Sequence, residues 1–160
     1  MSEIIILDIQ MQKLKIVSSV KLKTEKSKVF VDYDMYVDTG SSDTVISEQL
    51  FNELGYKEQE KIPATIIGIN GKSKGFSTII NDFIIGGVNL GKTRVTIAKL
   101  EAEFANVVIL GMNVLAWFNM LVSYSKKEIT LAERKIKNID KSTRFNRVDI
   151  FQRISLQAKY

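Results

Sequence analysis

Short apolar runs recur along this chain, and in some of them apolar and polar residues alternate, a pattern typical of β-strands. The pattern predicts strands over residues 3–9, 14–22, 29–37, 44–47, 83–88, 94–100, 104–110, 120–124 and 128–131. Two short helices are predicted, one over 48–54 between an N-cap at Ser47 and a stop at Gly55, and one over 113–119. The hydrophobic pattern therefore indicates a mainly β protein with one or two short helices.

One predicted strand ends in the polar loop Asp38-Thr39-Gly40-Ser41, after which apolar sequence resumes. A carboxylate at the end of a buried strand is costly unless it is hydrogen-bonded or functional. Gly40 lets the backbone turn close to the carboxylate, and the amides and hydroxyls of Thr39, Ser41 and Ser42 can donate to it. We therefore predict that the loop itself holds Asp38 in place.

A hairpin is predicted over residues 64–80. Asn70-Gly71 lies there between two β-prone arms, and this dipeptide favours a type I′ turn because both central residues need positive φ angles. Gly68 and Gly75 border the turn and suit a backbone that moves or approaches another chain closely. On these residues alone, a plain surface hairpin is the simpler interpretation.

The composition excludes several kinds of catalytic site. The chain has no His and no Cys, so it cannot form a Ser-His-Asp triad, a Cys-His pair or a His- or Cys-ligated metal site. Acid–base chemistry falls to carboxylates, Lys or Tyr, and carboxylates fit best. We expect no metal and no other cofactor. An oxygen-only site of Asp34, Asp38 and Asp43 is the remaining metal hypothesis, although its spacing matches no metal-binding loop.

Length and composition point to one soluble domain. The chain has 160 residues, 45% of them hydrophobic and 26% charged. No apolar run approaches the roughly 18 residues that a membrane helix needs. Glu3 and Asp8 without preceding basic residues argue against a signal peptide. Together with the lack of cysteine, these features predict a cytoplasmic protein with no membrane association.

The formal net charge of +5 lies entirely in the C-terminal part of the chain. Residues 1–131 contain 15 basic and 15 acidic residues, whereas residues 132–160 contain 8 and 3. We therefore divide the chain into a domain of residues 1–131 and a basic extension of residues 132–160. Nucleic acid is not favoured as a partner, because the extension has no recognised motif for it. Several apolar residues of the extension can form one face against the body or a partner: Val148, Ile150, Phe151, Ile154 and Leu156.

Two motifs together resemble those of the retropepsin-like aspartic proteases: the loop Asp38-Thr39-Gly40-Ser41 and, downstream, the apolar-apolar-glycine run Ile109-Leu110-Gly111. An Asp-Thr-Gly triplet alone is weak evidence, since it occurs by chance in about one in thirty chains of this length. The resemblance covers about residues 1–131 and implies the single-lobe acid-protease fold, a closed β-barrel or sandwich. It also implies that the hairpin is the flap that closes over a polypeptide substrate.

The resemblance implies an aspartic endopeptidase that works as a homodimer. Peptide hydrolysis of this kind needs two carboxylates on one water, one ionised and one protonated. The chain has a single Asp-Thr-Gly, and its length suffices for one lobe. Asp38 of each subunit would then meet at a two-fold axis. The main alternative is a catalytically inactive dimer of the same fold that binds peptides or acts as a scaffold.

The site residues that the resemblance implies form two sets. The catalytic set is the loop itself: Asp38, Thr39, Gly40 and Ser41. The substrate-binding set comes from the flap and the downstream motif: Ile67, Gly68, Ile69, Asn70, Gly71, Ile109 and Gly111. Thr39 is expected to hydrogen-bond across the dimer axis. Ser41 is expected to donate to the ionised carboxylate and so to lower its pKa.

Overall fold

The computed structural model describes residues 4–12, 15–56, 61–68 and 71–133. Within these ranges the chain contains two short α-helices, α1 (Glu48–Leu54) and α2 (Met112–Leu115), and one turn of 3-10 helix at Ala102–Phe104. The strands are β1 (Ile4–Asp8), β2 (Gln10–Gln12), β3 (Lys15–Lys23), β4 (Phe30–Val37), β5 (Val45–Ser47), β6 (Ile62–Gly68), β7 (Gly71–Ile80), β8 (Ile84–Ile85), β9 (Val88–Asn89), β10 (Thr93–Ala98), β11 (Val107–Leu110), β12 (Phe118–Ser123) and β13 (Glu128–Glu133). The prediction of a mainly β fold with short helices is confirmed.

The strands form two sheets. The smaller sheet has the order β1-β13-β12 and is antiparallel throughout. The larger sheet has the order β6-β7-β10-β5-β11-β4-β3-β8-β9, with β2 paired to β3. Within it β11 runs parallel to β4 and antiparallel to β5. Strand β11 therefore lies between the strand that enters the Asp38 loop and the strand that leaves it.

A single hydrophobic core joins both sheets and α1. The largest side chains that are fully buried in it are Phe83, Ile5, Leu7, Leu22, Met35, Ile46, Leu50, Leu54, Ile80, Ile85, Ile97 and Leu110. Burial of side chains of this size stabilises the fold by roughly 1.5–3 kcal/mol each. The strands that flank the Asp38 loop contribute Met35, Ile46 and Leu110 to this core, so the loop rests on the most buried part of the molecule.

Helix α1 begins and ends where the sequence predicts. The Ser47 hydroxyl accepts a hydrogen bond from the amide of Leu50 at 3.0 Å, as an N-cap should. Gly55 ends the helix with a φ of 72°, in the left-handed region that favours glycine. Both ends depend on residues adjacent in sequence, which is why the prediction succeeds.

Helix α2 is shorter than predicted, and the prediction of a helix over 113–119 is wrong at its C-terminal end. The helix stops at Leu115, and Phe118 already belongs to β12. Phe118 lies opposite Glu133 in the β12–β13 pair, so its backbone joins a sheet ladder in place of a helix. Phe104 is likewise part of the 3-10 helix, and β11 begins only at Val107.

The last described strand, β13, runs to Glu133, two residues past the predicted domain boundary. The division into residues 1–131 and 132–160 stays a prediction, because 134–160 lie outside the described residues. Within the part of the chain that the structure describes, no helix has the length and apolar character needed to cross a membrane.

Candidate active site

The loop that follows β4 is anchored at its first residue. The amide of Asp38 donates to the carbonyl oxygen of Leu110, the last residue of β11, at 3.0 Å. Because Val37 lies opposite Leu110 in the parallel β4–β11 pair, the sheet ladder runs directly into the loop. The carbonyl oxygen of Asp38 then accepts from the amide of Ser41 at 3.3 Å. Backbone contacts therefore fix the residue that carries the acid.

The amide of Gly40 holds the carboxylate itself. It donates to Asp38 Oδ1 at 2.8 Å, so the loop itself binds the acid, but through the Gly40 amide and not through the predicted donors Thr39, Ser41 and Ser42. A Cβ atom at position 40 would lie 3.2 Å from the same oxygen, which is a tight contact. A side chain at Gly40 would therefore push the carboxylate away from the amide that orients it.

The loop hydroxyls do not contact the carboxylate. Ser41 Oγ donates to the carbonyl oxygen of Asp43 at 2.7 Å, and Ser42 Oγ lies 3.4 Å from Asp43 Oδ2. A hydroxyl has one proton to donate. The prediction that Ser41 donates to the ionised acid is therefore wrong for the single chain, in which this hydroxyl stabilises the far end of the loop.

The acid is exposed in the single chain. Asp38, Thr39 and Gly40 are all solvent-accessible, whereas Thr44 at the end of the same loop is buried. The prediction of a buried strand end is therefore wrong for Asp38 in an isolated chain. The loop combines a firmly bonded underside with an open upper surface that presents the carboxylate.

Helix α2 binds the underside of the loop. The amide of Met112 donates to the carbonyl oxygen of Ser41 at 2.8 Å, and the amide of Asn113 donates to that of Ser42 at 2.9 Å. A Cβ atom on Gly111 would overlap the carbonyl oxygen of Asp43, so only glycine permits this close approach. The apolar-apolar-glycine motif thus serves to bring α2 against the Asp38 loop.

Asn113 is a site residue that the sequence does not reveal. Its side chain is only 8% exposed, and its Oδ1 accepts from both the amide and the hydroxyl of Thr44, each at 2.7 Å. Its Nδ2 donates to the carbonyl oxygen of Arg94 in β10 at 2.9 Å. The Thr44 hydroxyl also accepts from the amide of Gly111 at 3.2 Å. One amide side chain therefore joins the loop, β10 and the glycine motif.

The predicted flap is an antiparallel hairpin of β6 and β7. Gly68 lies opposite Gly71, which is already the first residue of β7, so the prediction of a turn with Asn70 and Gly71 at its centre is wrong. Ile69 and Asn70 lie outside the described residues, and of Ile67 the structure describes only the backbone. The two arms of the hairpin are confirmed, while the roles of its substrate-binding residues stay predictions.

The hairpin is connected to the Asp38 loop through β10. Strand β7 pairs with β10 from Ile80 to Gly75, and β10 pairs on its other side with β5, which leaves the loop. Gly75 lies opposite Ala98, the last residue of β10, so the hairpin projects past the end of that strand. Before Gly75, as far back as Gly71, the described residues of β7 pair with β6 and no longer with β10. This is the arrangement expected of a lid.

The remaining predicted site residues lie in or next to β11. Ile109 is half-buried one residue before the end of that strand, and Gly111 is buried against the loop. The structure therefore brings Ile109 and Gly111 together with the catalytic set through the β4–β11 pair. The described residues contain no group of three acidic side chains that could hold a metal ion, which leaves the site of Asp34, Asp38 and Asp43 without support.

An Asp-Thr-Gly loop pinned between paired strands, with a glycine motif beneath it and a hairpin beside it, defines the class of single-lobe aspartyl proteases. Residues 30–116, more than half of the chain, match the family described as "gag-polyprotein putative aspartyl protease". The chain belongs to the retropepsin-like aspartyl protease family.

Solved structures of the same fold support this membership. The retropepsin-like aspartic protease of Rickettsia conorii is 18% identical, with a TM-score of 0.57 over 83% of this chain and 92% of that protein. EIAV protease, solved in complex with the inhibitor HBY-793, is 24% identical, with a TM-score of 0.50 over 67% of this chain and 90% of that one. At these identities the likeness shows the fold. No curated protein matches the sequence.

Proposed function

We propose that this protein is an aspartic endopeptidase that acts as a homodimer. The observation that carries the proposal is the Asp38 loop, which is bonded to β11 and α2 from below and open above. A fold that fixes a carboxylate this firmly and leaves it exposed provides one half of a two-acid site. Because each chain has a single such loop, a second copy supplies the other half.

The dimer brings two Asp38 carboxylates onto one water molecule. Two carboxyl groups about 3 Å apart cannot both ionise at low cost, because the carboxylates would repel each other. The pair therefore shares one proton, as is general for aspartic-protease dyads. The ionised carboxylate removes a proton from the water, whose oxygen attacks the scissile carbonyl carbon. The protonated carboxyl donates to the carbonyl oxygen, and as the C–N bond breaks the dyad gives the proton it took from the water to the leaving nitrogen.

The flap encloses the substrate over this dyad. A hairpin whose strands end at Gly68 and Gly71 brings backbone amides and carbonyls close to an extended peptide without interference from side chains. Closure excludes water other than the attacking one. Ile66 of the flap and Ile109 of β11 are half-buried and provide apolar walls, which favours hydrophobic side chains on both sides of the scissile bond.

The test of this proposal is to replace Asp38 and a matched aspartate separately. Wild type, Asp38→Asn and Asp34→Asn are incubated with a peptide library from acidic to neutral pH, and the products are identified by mass spectrometry. Asp34 is exposed on β4, four residues before the site, and controls for the substitution itself. Asp38→Asn should abolish cleavage and Asp34→Asn should retain it.

Two results would overturn the proposal. Cleavage by Asp38→Asn at the wild-type rate would exclude Asp38 as the catalytic acid. Dimers of the wild type that bind peptides but cleave none of them at any pH would favour the non-enzymatic alternative, a peptide-binding or scaffolding module.

A further inference from the structure

The three-stranded sheet has an apolar outer face. Its inner face packs on the core through four buried side chains: Ile5, Leu7, Ile129 and Leu131. On the opposite side Ile4 is 60% exposed, Ile6 is 52% exposed and Leu121 is 67% exposed. The strand register places Ile6, Thr130 and Leu121 in one row, and Ile4, Ala132 and the exposed Asn119 in the next. Ile4, Ile6, Leu121, Thr130 and Ala132, termed here the outer face, are neighbours on this side of the sheet.

Such a patch is unusual on a sheet that faces water. An antiparallel sheet with one solvated face normally alternates apolar inward and polar outward residues. In β1 the residues on both faces are apolar: Ile5 and Leu7 point inward, and Ile4 and Ile6 point outward. Contiguous exposed apolar side chains of this kind mark a surface that another segment or molecule covers.

We propose that the outer face is covered by the C-terminal extension of the same chain, residues 134–160. The extension continues directly from Glu133 at the end of β13, the middle strand of this sheet. Four of its apolar residues, Val148, Ile150, Ile154 and Leu156, lie an even number of positions apart, although Gln152 interrupts the series and Phe151 has the opposite parity. This spacing matches a segment that lays one apolar side on a flat surface.

The length of the connection is sufficient for this docking. The 14 residues between Glu133 and Val148 span about 45 Å when extended, whereas a six-residue strand is about 20 Å long. The extension can therefore return along the whole sheet from the point where β13 ends. Because it is tethered to the sheet, its docking does not depend on protein concentration, in contrast to the docking of a second copy.

The charges of the two surfaces are complementary. Asp8 and Glu128 lie opposite each other at the end of the outer face remote from Glu133, and Lys126 Nζ lies 3.9 Å from Glu128 Oε1. Residues 134–160 contain 8 basic and 2 acidic residues. An extension that returns over Ile4 and Ile6 therefore brings its positive charge toward a carboxylate pair, which favours this orientation.

The experiment uses the absence of cysteine from the full-length chain. The double variant Leu121→Cys and Ile154→Cys is compared with a control, Lys92→Cys and Ile154→Cys, in which Lys92 is exposed in the loop before β10. Both are oxidised mildly at several protein concentrations, and the disulfides are mapped by non-reducing electrophoresis and mass spectrometry. The first pair should form an intrachain disulfide at least about tenfold faster than the control, at a rate independent of concentration.

A second measurement avoids cysteines altogether. Ile154→Lys in the full chain should uncover the outer face and increase the fluorescence of the apolar dye ANS, whereas Arg153→Lys should not. Equal disulfide rates in the two pairs, or unchanged dye fluorescence in Ile154→Lys, would overturn the proposal. Disulfides formed only between chains, with a yield that rises with concentration, would overturn it in favour of a second copy.

Discussion

At the residue scale, Asn113 shows how much of the site depends on one uncharged amide. Asn113→Asp keeps the acceptor for Thr44 but replaces the donor to Arg94 with a buried, charged oxygen. We expect a loss of about 2–3 kcal/mol in unfolding free energy at neutral pH. Burial should raise the pKa of the new carboxyl above its unfolded value, so stability returns at acidic pH, where the protonated acid again donates, and is lost as pH rises.

Urea unfolding at acidic and neutral pH measures this effect. Asn119→Asp is the matched control, because Asn119 is exposed on β12 and should tolerate the same change with little loss. Equal losses in the two variants, or a loss in Asn113→Asp that does not vary with pH, would contradict the role assigned to Asn113.

Ser41→Ala separates two possible roles of the loop hydroxyl. Because Ser41 Oγ donates to the carbonyl oxygen of Asp43, its removal should cost about 1 kcal/mol of unfolding free energy. The acidic limb of the pH–rate profile should stay where it is in the wild type. Ser19→Ala, at an exposed position of β3, should change neither quantity. A raised acidic limb in Ser41→Ala would show that the hydroxyl contacts the dyad in the active dimer.

The raised pKa of Tyr56 predicts a loss of stability at alkaline pH. Burial, assisted by the charge of Glu25, raises the pKa of Tyr56 to about 12, whereas an unfolded tyrosine ionises at about 10. The unfolded chain therefore loses its proton first, and the unfolding free energy falls as pH rises from about 10 toward 12. The buried hydroxyl makes no hydrogen bond of standard geometry among the described residues, and its contact with the Lys23 backbone only lowers the pKa against the larger effect of burial. Tyr56→Phe should therefore remove part of this fall at little cost in stability at neutral pH.

Urea unfolding at neutral pH and at about pH 11 tests this prediction. Tyr124→Phe, which changes an exposed tyrosine, is the control and should behave as the wild type does. A destabilised Tyr56→Phe at neutral pH would indicate a hydrogen bond to the hydroxyl.

At the element scale, Gly75 marks where the flap leaves the sheet. A Cβ atom there would overlap the carbonyl oxygen of Ile97 in β10, and this backbone atom cannot move without breaking the β7–β10 ladder. We expect Gly75→Ala to cost about 2 kcal/mol or more in unfolding free energy. Gly87→Ala is the comparison, because that glycine has open space but a φ of 78°, and should cost about 1 kcal/mol. Similar losses of unfolding free energy in both variants would mean that the β7–β10 pair can shift to accommodate the added Cβ atom.

The sequence predicts elements well where their determinants are local. Ser47 and Gly55 fix α1 through contacts within the helix, a short apolar run identifies β1, and alternation identifies β4 and β10. The end of α2 is missed because it depends on Phe118 pairing with a strand that follows it in sequence. Strand β2 is missed because three residues are too few to show alternation.

The same distinction holds for the site. The Asp38 loop and Gly111 are predictable because their motifs are contiguous in sequence. Asn113 is not, since an asparagine shows its role only when Thr44 and Arg94 are known to be its neighbours. The partner of Ser41 also escapes prediction, because the direction of a hydroxyl depends on the path of the backbone around Asp43.

At the scale of the whole molecule, the proposed dimer predicts how active and inactive chains combine. If subunits exchange freely, mixing wild type with an excess of Asp38→Asn places most wild-type chains in mixed dimers that have one dyad carboxylate. Activity should fall to about half at equal amounts and further with excess. An excess of Asp34→Asn should instead add activity. Activity that is unaffected by Asp38→Asn after full subunit exchange would exclude a shared site.

The position of β11 between β4 and β5 also bears on the order of events during synthesis. The loop around Asp38 takes its shape from residues 107–113, which follow it by some seventy positions in the chain. A ribosome that has made only the first half of the domain carries Asp38 and the Gly40 amide that binds its carboxylate, but not the residues of β11 and α2 that hold the loop in place. If the proposed endopeptidase activity is correct, the loop acquires its geometry late, and a nascent chain should not cleave its neighbours before most of the domain has been translated.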